Sequence, residues 1–270
     1  MTWLSSLPAW LILAGSMLFF LAASYLVRLW IRFSIARSNA ASDIESSWNE
    51  GGFSHKIAGS MMSGLCAIFG IIAAVTLIAQ LENWSNAQSA VNAEVSSAAR
   101  LAVSVSGLPG GERVQQTLTT FLIADKKYEW DSGLDRPARP IIKATLRKLD
   151  SETRGVANSS RTTPQAGTEI LISLDEMLQA RRSRLDTQGS QLPGMFVFAL
   201  LLSALAVVVN GAVMTTARPK TDHSVIMLTV VMAFDVALVI MLWNPFVGAL
   251  AISDQRYYGV LSDLANGFFR

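Results

Sequence analysis

The sequence predicts an all-α integral membrane protein with four transmembrane helices and an extramembrane helical region between the second and the third. Apolar side chains make up 51% of the 270 residues and charged ones only 16%, a balance that is unusual for a soluble domain. Four apolar runs are each long enough to cross the ~30 Å hydrocarbon core of a bilayer. Between the second and third runs, apolar positions recur with a helical period.

The first apolar run covers about residues 9–29. No Lys or Arg precedes it, whereas Arg28, Arg32 and Arg37 lie at or beyond its end. A cleaved signal peptide would have a basic start and a shorter apolar stretch, so we expect an uncleaved anchor with its N-terminus outside the cytoplasm. The polar residues 38–56 then return the chain to the membrane on the same side.

The second run, residues 57–81, contains no charged side chain and continues into an amphipathic stretch without a helix-breaking signal. Its small residues follow a small-xxx-small spacing, which lets another helix backbone approach closely. They are Gly59, Ser60, Ser63, Gly64, Ala67, Gly70 and Ala74. Two interpretations stay open for this stripe: it packs helices together, or it lines a narrow pathway in an oligomer.

Residues 83–191 form the only predicted extramembrane region that is large enough for a domain. Their apolar positions give four successive helical faces, so we expect four helices and no β-sheet. The first of these helices is expected to continue the second membrane helix. Gly- and Pro-rich breaks separate the faces at residues 107–111, 133–140 and 158–167.

The third and fourth runs, about residues 194–216 and 224–243, are joined by a link that is too short for anything but a helical hairpin. The chain thus divides into a first helix pair (1–82), the helical region (83–191), a second pair (192–246) and a C-terminal tail (247–270). Asp235 lies near the middle of the fourth run. Asn210 is its expected partner, because the two residues lie within about one helical turn of the same depth when counted from the hairpin link. A carboxyl group there either joins two helices in its protonated form or serves as a proton or ion site.

Several classes of function are not expected from the composition. The net charge of +2 is too small and dispersed for nucleic-acid binding. Cys66 is the single cysteine, so there is no disulfide or Cys/His metal spacing. His55 and His223 each precede a membrane helix and are interpreted as solvated interface residues. We find no nucleophile with its base and no phosphate loop, so we expect no enzyme activity, no metal and no cofactor.

A set of short motifs, in this order along the chain, resembles the bacterial bestrophin-like family. The motifs are Leu108-Pro109, Glu129-Trp130, the cluster from Arg181 to Arg184, Leu192-Pro193, and Asn244-Pro245-Phe246 followed by Gly248. The resemblance covers nearly the whole chain. It implies a relationship to bestrophins, which are pentameric anion channels with a pore lined by the second membrane helix and a large cytosolic helical part.

The resemblance departs from bestrophins at one point and conflicts with the charge pattern at another. Bestrophins continue after the Asn-Pro-Phe tripeptide into an acidic calcium-binding run, whereas this chain has no carboxylate between Phe246 and Asp254. Calcium gating is therefore not expected. A bestrophin arrangement would also place both termini and the helical region in the cytosol, and the arginines after the first run favour the opposite.

Two functions are consistent with these observations. The first is an oligomeric, channel-like protein of the bacterial inner membrane that conducts small inorganic ions, with anions implied by the resemblance. The alternative is a membrane-anchored scaffold or sensor whose helical region binds another protein. The expected partners are the lipid bilayer and further copies of the same chain.

Overall fold

The computed structural model describes residues 7–37, 53–130, 140–189, 193–217, 222–248 and 250–269, and these contain helices and no β-strand. The predicted all-α class is therefore confirmed. Residues 133–139 of the break predicted at 133–140, residues 38–52 of the polar link predicted at 38–56, and the hairpin link at 218–221 lie outside the described residues. The helices are α1 (Ala9–Arg37), α2 (Phe53–Ser104), α3 (Gly111–Asp125), α4 (Pro140–Ala157), α5 (Pro164–Gly189), α6 (Gly194–Ala217), α7 (Asp222–Met241) and α8 (Gln255–Ala265), with a π-helical turn at Lys126–Trp130 after α3.

Four of these helices contain stretches long and apolar enough to cross a membrane: Ala9–Ile31, Ser60–Ser104, Gly194–Met214 and His223–Met241. The second stretch has 45 residues, although a bilayer core needs only about 20. Because the uncharged part of α2 ends at Leu81 and Glu82 is the first carboxylate after it, we place the membrane boundary there. The predicted continuation of the second membrane helix into the extramembrane region is present, since α2 is one helix.

The membrane helices form one compact unit, from the described parts of 1–82 and 192–243. In it, α1 packs against α6 and α7, and α6 packs against α7. Its core contains Phe20, Phe69, Leu200, Val207 and Met232, while large side chains such as Trp10, Ile71, Phe198 and Met227 point outward. These helices therefore carry apolar side chains both in the core and on the outer surface, as expected for helices that face lipid.

One glycine sets the closest approach in the membrane unit. A Cβ atom at Gly211 on α6 would lie 2.8 Å from Val225 Cγ1 on α7 and 3.6 Å from Met62 Cε on α2. These distances leave no room for a larger side chain without movement of the stiff Val225. The hairpin of α6 and α7 therefore depends on the absence of a side chain at Gly211.

The second compact unit comprises the described parts of 83–191 and 244–270. Its core is built from the apolar faces of α2 to α5, with Leu101, Leu118, Phe121, Leu149 and Leu174 almost fully buried. The C-terminal residues, which the sequence analysis set apart as a tail, belong to this unit. Trp84 Nε1 donates to Leu250 O at 2.9 Å, and Gln115 Nε2 donates to Phe269 O at 2.9 Å.

The turn between α2 and α3 shows why the predicted break occurs at residues 107–111. Gly107 and Gly110 have φ values of 68° and 91°, a left-handed conformation that residues with a Cβ rarely adopt. At the later break, α4 ends at Ala157 and α5 begins with Pro164. Proline lacks an N–H, which costs no hydrogen bond here because the N–H groups of the first helical turn have no partner within the helix.

Candidate functional site

The membrane part of α2 has one buried side, and the described part of the chain leaves its other side uncovered. Phe69, Ala73 and Thr76 are buried on the packed side. The small residues whose side chains are described lie on the opposite, exposed side: Ser60, Ser63, Gly64, Ala67, Gly70 and Ala74. Gly59 lies in the same helix, where the structure describes only the backbone. In the described chain, nothing lies within 4 Å of a Cβ built at Gly64 or Gly70.

Larger apolar side chains flank this small-residue stripe on the exposed side. Ile68, Ile71, Val75 and Ile78 are spaced by three or four residues and are each at least half exposed. The Ser63 hydroxyl donates to Ser60 O at 3.1 Å, so it does not need a partner from outside the helix. The exposed side of the membrane segment therefore carries small residues, including two serines, and larger apolar side chains, but no ionised group.

The extramembrane part of α2 keeps one side exposed too, but with polar side chains. Ser85, Ser89, Ala93, Ser96 and Arg100 are exposed. All of these except Ser85 line, together with residues of α5, a groove of about 1050 Å³. Arg100 Nη1 donates to Glu176 Oε2 at 2.7 Å across this groove, in an ion pair that solvent screens.

Beneath this surface, four helical segments meet in a buried ionic network, which we define as Glu94, Asp125, Arg181, Arg184 and Tyr257. Arg184 on α5 donates from Nε to Glu94 Oε2 at 2.6 Å and from Nη2 to Asp125 Oδ2 at 2.7 Å, and both carboxylates are fully buried. Tyr257 Oη on α8 donates to Asp125 Oδ2 at 2.6 Å, and Arg181 Nε lies 3.4 Å from Asp125 Oδ1. The network thus joins α2, α3, α5 and α8.

Burial and charge act differently on the members of this network. Burial raises the pKa of Glu94 to about 7, although Arg184 opposes the shift. Burial alone would lower the pKa of Arg184, but Glu94 and Asp125 raise it well above its ordinary value. Burial, followed by the charge of Asp125, raises the pKa of Tyr257 well above its ordinary value. Arg184 therefore stays charged and Tyr257 stays a donor, while Glu94 titrates near neutrality.

A second ion pair next to the network anchors the residues after the last span. Lys126, which follows Asp125 in the π-helical turn, lies 2.7 Å from Asp254 Oδ2 and 3.3 Å from the centre of the Tyr258 ring. Burial opposes the charge of Lys126, but hydrogen bonds to Asp254 and Tyr258 raise its pKa above the ordinary value. A mostly buried lysine held by a carboxylate and an aromatic face fixes the start of α8.

The expected pair of Asn210 and Asp235 is not formed. Asn210 Nδ2 donates to Met62 Sδ at 3.4 Å, so the amide contacts α2. Asp235 is half-buried on α7. The depth estimate from the hairpin was compatible with a contact, but depth does not determine which side of each helix a residue occupies.

Comparison with known families identifies the chain. A family model of the bestrophin-like domain matches residues 44–257. The chain belongs to the bestrophin-like domain family. Among solved structures, a mutant of a bacterial bestrophin homologue from Klebsiella pneumoniae is similar, with a TM-score of 0.57 at 10% identity over 94% of this chain and 99% of that chain. This likeness shows the fold. A search of curated proteins found no significant match.

The family model confirms the predicted membership, and the structure shows what several of the motif residues do in this bestrophin-like chain. Asn244, Pro245 and Phe246 are all buried. Asn244 Oδ1 accepts a hydrogen bond from Phe246 N at 3.0 Å, and Pro245 O accepts one from Ile252 N at 2.8 Å. The tripeptide is thus a structured turn after α7. Among the described residues, no group of three or more His, Cys, Asp or Glu side chains is placed to hold a metal ion.

The other motif residues differ in their surroundings. Arg181 and Arg184 are buried in the ionic network, whereas Arg182 between them is exposed. Pro193 is exposed at the start of α6 and accepts from Phe196 N at 2.9 Å. Glu129 and Trp130 end the π-helical turn, where the structure describes the backbone only.

Three members of the network, Glu94, Asp125 and Tyr257, were not predicted from the sequence. A signal for Glu94 was present, because it lies on the same side of α2 as the buried Val91, Ala98 and Leu101. A charged residue on an apolar helix face indicates a buried partner. No local pattern identifies Asp125 and Tyr257 as a pair, since 132 positions separate them.

Proposed function

We propose that this bestrophin-like protein is a subunit of an oligomeric channel of the inner membrane that conducts small inorganic anions along the second helix. The observation that carries the proposal is the uncovered side of α2. On its packed side, Phe69 and Ala73 belong to the core of the membrane unit, while a Cβ built at Gly64 or Gly70 on the other side meets nothing within 4 Å in the described chain.

No described helix of the chain packs on this small-residue stripe, which suits a contact with further copies or a path that they surround. Small side chains let neighbouring backbones approach, and they leave space where several helices surround an axis. Ile68, Ile71 and Val75 beside the stripe supply the apolar surface that a constriction controlled by wetting requires. Facing lipid alone would not need six small residues in such spacing.

The membrane segment of α2 has no charge that would exclude an anion. The membrane segment has no carboxylate, and a ring of ionised carboxylates would repel an anion. Arg100 on the polar part of α2 is exposed and is paired with Glu176. Asp235 lies on α7 and is not part of α2, so the proposal assigns it a role in the stability of the membrane unit.

The proposal is tested by the same substitution on two helices. Gly70→Leu on α2 should alter oligomer size or ion flux in reconstituted vesicles, because the new side chain meets a neighbouring copy or the path. Gly15→Leu on α1 is the matched control, since Gly15 is exposed and a Cβ there also meets nothing. If both variants keep the size and flux of the unsubstituted protein, the uncovered side of α2 faces lipid.

Asp235→Asn should preserve oligomer assembly and leave the preferred ion unchanged, since the amide keeps the shape and hydrogen-bonding capacity of a protonated carboxyl group. Flux of chloride and potassium through vesicles measures this. A variant that loses flux or changes its preferred ion would instead place Asp235 in the path.

For orientation, the proposal keeps the N-terminus and the extramembrane unit outside the cytoplasm, on the strength of Arg28, Arg32 and Arg37. In a Cys66→Ala background, Ser151→Cys on the exposed side of α4 should react with a membrane-impermeant maleimide in intact cells. Ser47→Cys, between the first two spans, should react only after permeabilisation. The reverse pattern would support the cytosolic arrangement that the bestrophin resemblance implies.

The alternative function, a scaffold or sensor, is supported by the polar groove between α2 and α5. The lining of this groove includes Arg100, Glu176, Arg182 and Asp186, a mixture of both charge signs that suits a polar segment of another protein. A purified monomer with no ion flux would favour this function over conduction.

A further inference from the structure

Two carboxylates share the Arg184 guanidinium, but their surroundings differ. Asp125 accepts hydrogen bonds from Arg184 and Tyr257 and lies beside Arg181. Glu94 accepts only from Arg184 Nε, through Oε2. Its other oxygen, Oε1, is buried and has no hydrogen-bond partner in the described part of the chain.

This difference decides which carboxylate binds a proton first. Donors around Asp125 stabilise its charged form, whereas the unbonded Oε1 of Glu94 loses its hydration without replacement. The charges facing Glu94 are Arg184 and Arg181 on α5 and Asp125 on α3, with the Tyr257 hydroxyl on α8. With both carboxylates ionised, the charges of Arg181, Arg184, Glu94 and Asp125 sum to zero. One added proton gives the network a net charge of +1.

We infer that Glu94 is a proton-binding site whose occupancy controls how tightly the extramembrane part of α2 is held against α5. The inference does not depend on ion conduction. It concerns only the second compact unit, where Glu94 and Arg184 form a buried ion pair between these two helices.

Solvent is close enough to exchange this proton. The groove between α2 and α5 is lined by Ala90 and Ser97, one turn before and after Glu94, and by Ala180, one turn before Arg184. A small opening of the contact between the helices would therefore expose the Glu94 carboxyl group to water. When Glu94 is ionised, this opening moves its carboxylate from a poorly solvated position into water.

The direction of the effect follows from linkage. Burial raises the pKa of Glu94 from 4.5 to about 7, so the closed state binds the proton more tightly than a state in which Glu94 reaches water. The stabilisation from this proton is fully present below pH 4.5 and is lost as the pH rises through about 7. Between pH 6 and pH 8 the opening equilibrium constant should increase about tenfold.

Hydrogen–deuterium exchange of the full-length protein in detergent tests this inference. After correction for intrinsic exchange rates, amides of residues 83–104 in the unsubstituted protein should lose about tenfold in protection between pH 6 and pH 8. Glu94→Gln should remove most of this change, because glutamine does not titrate. If Glu94→Gln shows the same pH dependence as the unsubstituted protein, the inference is wrong.

Histidines titrate in the same range, so a control must remove them. The double variant His55→Gln/His223→Gln should keep the pH dependence, and its loss there would assign the effect to histidine. If Glu94→Gln does not fold, infrared spectra of the Asp235→Asn variant labelled with [13C]glutamate provide a second test. A carbonyl band of a protonated glutamate should appear as the pH falls from 8 to 6, and no such band would overturn the inference.

Discussion

Arg184 is the residue on which the extramembrane unit depends most directly. Its side chain is fully buried and binds Glu94 and Asp125 at 2.6 and 2.7 Å. Removing one partner from a buried ion pair leaves the others as uncompensated charges, which is more damaging than the loss of a surface pair. The two carboxylates would then remain in the core with Arg181 as the nearby cation.

Arg184→Ala should therefore lower the free energy of unfolding by about 3–5 kcal/mol. Arg182→Ala is the matched control, because Arg182 is two positions away on the same helix and exposed. It should change stability by less than about 0.5 kcal/mol. Thermal unfolding in detergent measures both variants, and equal effects would contradict the importance of the buried network.

At this scale the sequence carries only part of the information. The Arg181 to Arg184 cluster was recognised as a motif, but which arginine is buried depends on the rotation of α5 against α2 and α3. Asn210 shows the same limitation, because its contact with Met62 is set by the angle at which α6 meets α2. Pairing of distant side chains is a property of the packed helices and not of any local pattern.

Among the helices, α2 is the one that the two compact units share. Its residues 53–82 belong to the membrane unit and residues 83–104 to the extramembrane unit. The absence of Gly and Pro between Leu81 and Ser104 explains why the helix does not end at the membrane boundary. This continuity was predictable, because helix-breaking residues are a local signal.

The α6–α7 hairpin provides a test at the level of single elements. Gly211→Ala should destabilise the membrane unit by about 1–3 kcal/mol, because the added methyl group lies 2.8 Å from Val225 Cγ1 and overpacks the contact. Gly194→Ala on the same helix meets nothing within 4 Å and should have an effect below about 0.5 kcal/mol. Unfolding in detergent distinguishes the two, and a neutral Gly211→Ala would mean that the hairpin can relax.

For the whole molecule, the sequence predicts the class well because apolar run length and helical periodicity are strong signals. The four spans, the all-helical class and the family membership are confirmed. The place of the C-terminal residues was not predicted, since Tyr257 and Phe269 join a core that includes Leu101 and Leu118, which lie more than 100 positions earlier in the chain. Composition does not show such long-range packing.

The central proposal is that copies of this chain form an anion path along α2. The most direct measurement is ion flux through vesicles that contain the purified, size-defined oligomer, with chloride and potassium assayed separately. The proposal predicts chloride flux above that of empty vesicles and a smaller potassium flux. An oligomer that passes neither ion, or that prefers potassium, would contradict it.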